Sequence, residues 1–186
     1  MGQNKLLKKW NGRTIFQVTL EEVLACGLEE IIVVTGNDEG ELLQIINSND
    51  YPLQTIFNSE FSKGMTTSIQ AGVKAASPDT HGFMICLADM PRLRTEDYKV
   101  LLSHFVNSCH PGEKCIIVPE VVGRRKNPVI FSKEFKDDIL THNNMDGCRE
   151  IIRDNSPFTH AVTFNDIRPF SDIDTPEDFR ELEGEC

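Results

Sequence analysis

Short runs of apolar residues alternate with amphipathic stretches along this chain of 186 residues. The apolar runs are rich in β-branched or aromatic side chains and are bounded by turn residues, which predicts buried strands. The run at 83–88 follows Gly82 and stops before Pro91, which cannot donate a hydrogen bond to a sheet. In all, we predict strands at 31–34, 53–57, 83–88, 115–119, 128–131 and 161–164.

Between these strands, apolar residues recur at the spacing of one helix face. Phe16, Leu20 and Val23 share one helical face, and Gly27 ends that helix. Two more stripes predict helices, one through Met65, Ile69, Val73 and Ala76 and one, with Thr95 as its N-cap, through Tyr98, Leu101, Leu102 and Phe105. Strands that alternate with helices indicate crossover connections around a parallel sheet. We therefore predict an α/β protein, a three-layer α/β/α sandwich with a mostly parallel, Rossmann-like sheet, forming a single domain over residues 1–186.

Composition narrows the class of function. A net charge of −10 argues against a nucleic-acid surface, which needs a dense face of lysine and arginine. No apolar stretch approaches the ~20 residues needed to cross a bilayer, and no secretory signal opens the chain, so we expect no membrane partner. The six cysteines show no metal spacing. Cys26 and Cys86 lie in apolar segments and are interpreted as reduced core residues, which favours a cytoplasmic location.

Two acidic positions far apart in sequence are candidates for one site. Asp89 closes the apolar run at 83–88, and the carboxyl end of a central strand is where open α/β sheets bind ligands. Asp172 and Asp174 lie in a second acidic segment near the other end of the chain. Carboxylates that meet at one sheet edge would suit a hard divalent cation and a phosphate ligand. The alternative is local: Asp89 could cap a strand end, and Asp174 or Thr175 could cap a helix.

Two further groups of residues could bind an anion. Thr66, Thr67 and Ser68 open a helix just after Gly64, where free N–H groups and hydroxyls favour an anion or a nucleobase edge, although they could equally be an N-cap cluster. Arg124 and Arg125 could bind a phosphate bidentately or form a solvated turn between strands.

The beginning of the chain resembles the tail of a nucleotidyltransferase signature, L-A-A-G-x-S-x-R-M-G-x-x-K-x-L, with Gly2 and Lys5 at its matching glycine and lysine. Four more blocks, at 64–72, 87–91, 123–129 and 172–178, resemble the same family in the same order. Each block alone is weakly specific, but the five together cover almost the whole chain. The branch that the chain resembles most is that of the molybdenum cofactor cytidylyltransferases.

The resemblance implies a glycosyltransferase-A type fold and a reaction between CTP and molybdopterin, or its molybdenum form, that releases pyrophosphate. It assigns Lys5 and Asp89 to catalysis and Asp89 and Asp174 to a Mg²⁺ ion. It also implies nucleotide contacts from Gly2, Lys5, Thr67 and Ser68, and acceptor contacts from Arg124, Arg125 and Asn127. Possible protein partners are a molybdenum hydroxylase or its maturation chaperone.

The alternatives are transfer from GTP, transfer to a sugar or polyol phosphate, and a non-catalytic role in maturing a molybdenum hydroxylase. Relatives usually have Gly-His where this chain has Lys126 and Asn127. Because the chain begins two-thirds of the way through the signature, we expect it to lack the family's first strand and Gly-rich turn, which cradle the nucleotide.

Overall fold

The computed structural model describes residues 4–37, 39–171, 173 and 175–184. The strands are β1 (Lys9–Trp10), β2 (Arg13–Thr14), β3 (Ile32–Thr35), β4 (Gln54–Phe57), β5 (Gly82–Ile85), β6 (Ile116–Val121), β7 (Arg124–Arg125), β8 (Val129–Ser132) and β9 (Thr159–Phe164). The helices are α1 (Ile15–Leu24), α2 (Glu39–Asn49), α3 (Met65–Ala75), α4 (Thr95–Ser108), α5 (Lys136–Thr141), α6 (Arg149–Asp154) and α7 (Pro176–Glu183).

All six predicted strands form, and the α/β prediction is confirmed. One boundary is wrong: β5 ends at Ile85 rather than at residue 88, so Asp89 lies four residues beyond the strand. Helices α2, α5 and α6 were not predicted. In α2 only Leu42 and Ile46 are buried, which leaves too thin an apolar stripe for a periodicity argument.

The main sheet is mixed. β8 lies between β5 and β6 and is antiparallel to both, whereas β9 is parallel to β6 on its other side. Consequently β5, β6 and β9 all run in one direction, and β8 runs against them. β7 is a two-residue strand that forms a hairpin with the end of β6. β3 and β4 form a separate parallel pair, and β1 and β2 an antiparallel one.

Helices cover both faces of this sheet, as the three-layer prediction requires. Along β6, Ile116 and Val118 face a core that includes residues of α3, α5 and α6. Ile117 faces the opposite core, against Leu101 of α4. The alternation follows from the two-residue period of a strand, and both cores exclude water almost completely because both faces are covered.

The sheet is interrupted between β3 and β5, which share no strand pairing in the described residues. α1 and α3 lie across this interruption on opposite faces. Val23 of α1 packs in a core with Met84 of β5, while residues earlier in α1 pack against Val33 of β3. On the other face, a side chain built at Gly72 of α3 would lie 3.2 Å from Val34 of β3. Two helices therefore pack across the interruption and hold the two parts of the sheet together.

α4 begins with a cap that the sequence did not predict. Thr95 was expected to be the N-cap, but it is the first helical residue. Its N–H and hydroxyl donate to Glu22 Oε2 of α1 at 2.8 and 2.7 Å. Burial alone raises the pKa of Glu22, but bonds from Thr95 and Arg94 outweigh this and lower the pKa below its ordinary value.

Cysteine chemistry is partly as expected. Cys26 and Cys86 are free and half-buried. Cys109 and Cys115 form a disulfide, with Cα atoms 5.5 Å apart, that joins the end of α4 to the start of β6. The spacing of the cysteines did not indicate this link. In the described part of the chain, no helix is both long and apolar enough to cross a membrane.

Candidate active site at the carboxyl edge of the sheet

The crossover from β4 through α3 to β5 defines one edge of the molecule. α3 begins where β4 ends and returns the chain to the start of β5, so the carboxyl ends of both strands lie at one edge. β6 and β9 run in the direction of β5 and end at this edge too. Their ends and the loops after them are where an open α/β sheet binds ligands.

Lys5 and Asp89 meet at this edge. Lys5 Nζ lies 2.6 Å from Asp89 Oδ2, and the Asp89 side chain is 17% exposed. Lys5 reaches this position from a short 3₁₀ helix, Lys5–Leu7, whose N-cap Asn4 accepts a hydrogen bond from the N–H of Leu6. The two residues predicted to be catalytic are therefore in direct contact.

The acidic segment near the end of the chain also reaches Asp89. The N–H of Ile173 donates to the carbonyl of Asp89 at 3.2 Å, although 84 residues separate the two in sequence. Asp174 and Gly2, two of the predicted site residues, lie outside the described residues. Thr175 is the N-cap of α7, since its side chain accepts from the N–H of Asp178, so the capping role considered for Asp174 is filled by its neighbour.

The hydroxyls at the start of α3 form a network with Asn58, the first residue after β4. Asn58 is 6% exposed. Its Nδ2 donates to Thr67 Oγ1 at 2.9 Å and to Ser68 Oγ at 3.0 Å, and its Oδ1 accepts from the N–H of Glu60 at 3.0 Å. Thr67 Oγ1 also lies 3.0 Å from the carbonyl oxygens of Glu60 and Gly64. Thr67 and Ser68 were predicted as nucleotide ligands, whereas Asn58 was missed.

A signal for Asn58 exists in the sequence. It is a polar residue directly after a predicted strand, at the end of the sheet where ligands bind. Asn58 was not predicted as a site residue because its position beside α3 is a tertiary contact, which no local pattern indicates.

The end of α5 and the loop after it pack against the start of α3, a contact that was not predicted from the sequence. Gln70 Nε2 donates to the carbonyls of Ile139, Leu140 and His142 at 3.0, 3.2 and 2.8 Å. Thr66 Oγ1 bonds the carbonyl of Asn144 and accepts from the N–H of Gly147. Helix α3 thus fixes the path of residues 139–147 beside its first turns.

Gly64 makes this close approach possible. Its φ of +111° lies in the region that favours glycine, and a Cβ at this position would lie 2.9 Å from the carbonyl oxygen of Met145. Gly64 also provides no side-chain cap for α3. The first N–H groups of the helix therefore have no side-chain acceptor at the N-cap, as an anion-binding helix start requires.

The three predicted acceptor-binding residues lie along the same edge. Arg124 and Arg125 form β7 and are exposed, in the hairpin at the carboxyl end of β6. Asn127 is half-buried, two residues before Val129, which pairs with Ile85 at the end of β5. Asn127 is therefore beside the point where the chain leaves β5 toward Asp89.

Asp89 is the predicted metal ligand that the structure describes. Among the described residues, no group of three or more histidine, cysteine or acidic side chains could hold a metal ion. Asp89 contributes one accessible carboxylate, and Mg²⁺ often takes one or two carboxylates with substrate phosphates and water.

Burial raises the pKa of Cys86, three residues before Asp89, to about 12, so its thiol stays protonated at neutral pH.

A separate shallow cleft of about 390 Å³ is lined by Leu7, Lys8, Lys9 and Phe179. Lys8 Nζ lies 5.0 Å from the centre of the Phe179 ring. None of the predicted site residues in the described part of the chain lines this cleft, so the candidate site remains the carboxyl edge.

Fold and site together define an α/β protein whose charged and hydroxyl-bearing residues gather at the carboxyl ends of its parallel strands. The chain belongs to the MobA-like NTP transferase domain family, whose sequence profile matches residues 1–161. It is therefore a member of a nucleotidyltransferase family, and the family resemblance inferred from the five sequence blocks is confirmed.

Three curated relatives align with 96% of this chain. The molybdenum cofactor cytidylyltransferase of Escherichia coli is 26% identical and is covered over 86% of its length. The purine catabolism protein PucB of Bacillus subtilis is 27% identical, and the nicotine blue oxidoreductase of Paenarthrobacter nicotinovorans is 25% identical, each covered over 87%. The names of these relatives indicate different activities, so membership of the family does not determine the substrate.

Solved structures support the fold. Rv0371c of Mycobacterium tuberculosis, in a complex with manganese, superposes with a TM-score of 0.79 at 15% identity, over 98% of this chain and 92% of that one. A nucleotidyl transferase from Methanothermobacter superposes with a TM-score of 0.79 at 18% identity, over 97% and 84% of the two chains. The fold of this chain is therefore shared with both structures.

Proposed function

We propose that this chain transfers a nucleotidyl group, CMP from CTP, to the phosphate of a molybdopterin-type acceptor and releases pyrophosphate. The observation that carries the proposal is the contact between Lys5 Nζ and Asp89 Oδ2 at the ligand edge of a nucleotidyltransferase fold. One cation and one carboxylate at this edge can serve the phosphates and the metal of a bound nucleotide. The choice of CTP and of the pterin rests on the sequence blocks and on the cytidylyltransferase relative.

The proposed roles follow the chemistry of each side chain. A divalent cation, Mg²⁺ by preference, would be held by Asp89 and Asp174 and would neutralise charge on the nucleotide phosphates. Manganese in the structure of a relative supports a divalent ion. Lys5 would offset the charge that develops on the leaving pyrophosphate. Nucleotide contacts are assigned to Gly2, Lys5, Thr67 and Ser68, and acceptor contacts to Arg124, Arg125 and Asn127.

The reaction needs alignment more than proton transfer. An oxygen of the acceptor phosphate forms a bond to the α-phosphorus of CTP, and the bond from that phosphorus to the oxygen bridging to the β-phosphate breaks. A phosphate monoester is already anionic near pH 7, so no residue has to remove a proton from it. Arg124, Arg125 and Asn127 would hold the acceptor in line, and Lys5 would reduce the repulsion between the two anions.

The test compares wild-type protein with Asp89→Asn and with Asp79→Asn. Asp79 is exposed in a loop and serves as a control for the loss of one carboxylate. Pyrophosphate release is measured with each of the four NTPs, with and without molybdopterin, in Mg²⁺. We expect release with CTP and molybdopterin, a loss of at least ~100-fold in Asp89→Asn because the metal loses a ligand, and normal release in Asp79→Asn.

Other outcomes would redirect the proposal. A preference for GTP would indicate a guanylyl transferase, and release with a sugar phosphate instead of the pterin would indicate a sugar nucleotidyltransferase. Nucleotide binding without release from any pair would favour a non-catalytic partner of a molybdenum hydroxylase. Full activity in Asp89→Asn would refute the assignment of Asp89 as a metal ligand.

A further inference from the structure

The orientation of the Asn58 amide is fixed by its neighbours. The backbone N–H of Glu60 can only donate, so the atom that faces it at 3.0 Å must be the carbonyl oxygen, Oδ1. The amino group, Nδ2, therefore faces the hydroxyls of Thr67 and Ser68. Asn58 is also tied to β3, because its own N–H donates to the carbonyl of Thr35 at 2.8 Å.

This orientation determines what each hydroxyl can do. An amide nitrogen of this kind has no acceptor capacity, so both Oγ atoms must accept from Asn58, and each hydroxyl proton must point elsewhere. The proton of Thr67 is used within the protein, on the carbonyl oxygens of Glu60 and Gly64. For Ser68, by contrast, no acceptor for its proton occurs among the described residues, and its side chain is half-buried rather than sealed.

We propose that Asn58 is a positioning residue that holds the Ser68 hydroxyl as a hydrogen-bond donor toward an acceptor oxygen of the bound nucleotide. The inference rests on the proposed function and deepens it. Of the two hydroxyls, Ser68 is the one that contacts the ligand through its side chain, and the atom it recognises carries a lone pair, such as a phosphate oxygen or a base carbonyl. The nucleotide contact assigned to Thr67 would then come from its backbone, because its hydroxyl proton is used within the protein.

Asn58→Asp is the decisive change because it conserves shape and reverses the hydrogen bonding. The carboxylate still accepts from Glu60 but has no proton to give, so the Ser68 proton turns inward to the new oxygen. We expect the affinity for CTP with Mn²⁺ to fall about tenfold, the usual effect of losing one hydrogen bond to a charged or strongly polar group. Ser68→Ala should produce a similar loss.

A double-mutant cycle separates this mechanism from simple charge repulsion or damage to the fold. If Asn58 acts through Ser68, Asn58→Asp adds no more than about twofold in the Ser68→Ala background. The control is Asn107→Asp, because Asn107 Nδ2 also donates to a serine hydroxyl, that of Ser103, but on the exposed face of helix α4. Nucleotide affinity is measured by calorimetry for all four NTPs, and the melting temperature of each variant is recorded alongside.

The outcomes distinguish the inference from the function on which it rests. Non-additive losses of affinity in Asn58→Asp and Ser68→Ala, with Asn107→Asp unchanged, support the inference. Wild-type affinity in Asn58→Asp, or full additivity of the two losses, overturns it while leaving the proposed function intact. No binding of any NTP by the wild-type protein overturns both.

Discussion

The contact between Lys5 and Asp89 predicts that one substitution changes the affinities for metal and for nucleotide in opposite directions. Lys5→Met keeps the length and apolar stem of the side chain but removes its charge. In the free protein, Lys5 and a metal ion would compete for Asp89, whereas in the nucleotide complex Lys5 would bind phosphate. We therefore expect Lys5→Met to bind Mn²⁺ alone more tightly than wild-type protein, and to bind CTP with Mn²⁺ more weakly.

The size of the effect follows from the geometry of the pair. The atoms are 2.6 Å apart, but the Lys5 side chain is 38% exposed, so solvent screens much of the attraction. A pair of this kind contributes about 1 kcal/mol, which is roughly a fivefold change in Mn²⁺ affinity. Loss of a charge-assisted contact to phosphate should weaken CTP binding by about tenfold.

Mn²⁺ binding is measured by electron paramagnetic resonance of the free ion, which does not depend on turnover, and CTP binding by calorimetry. Lys8→Met is the matched control, because Lys8 lies in the same segment but contacts the Phe179 ring. Unchanged or weaker Mn²⁺ binding in Lys5→Met would refute competition for Asp89. A change of equal size in Lys8→Met would show that net charge, and not the pair, is responsible.

Two further predictions concern the supports of the site. Glu22→Gln should lower the free energy of unfolding at pH 7 by about 1–2 kcal/mol, because Thr95 and Arg94 lose a charged acceptor, whereas exposed Glu29→Gln should not. The folded-state pKa of Glu22 lies below its ordinary value, so this contribution is present at neutral pH and is lost as the pH falls through the folded-state value. A difference in urea unfolding that stays equal from pH 7 down to acid denaturation would contradict this. Gln70→Met should cost about 1–2 kcal/mol and speed amide hydrogen exchange in residues 139–147, since three carbonyls lose their donor. Gln54→Met, on the exposed side of β4, is its control, and equal exchange in the two variants would show that Gln70 does not anchor the loop.

Local pattern was sufficient for the longer strands, for some of the helices and for the position of Asp89. Apolar runs predicted every described strand of four or more residues. For β6 and β8 the reason is burial, because a strand covered on both faces is apolar along its length. The same logic placed Asp89 just past a strand end, although β5 stops three residues earlier than expected. Helices were found where their apolar stripe was wide, as in α4, and missed where it was narrow, as in α2.

Tertiary structure decided which side chains meet. The bond from Asn58 to Ser68 requires the end of β4 to lie against the start of α3, and the bond from Thr95 to Glu22 joins residues 73 positions apart. The contact of Ile173 with Asp89 joins residues 84 positions apart. A sequence specifies burial and period within one element at a time, whereas the partner of a polar group depends on how whole elements pack, so the hydrogen bonds that shape this site became visible only in the folded chain.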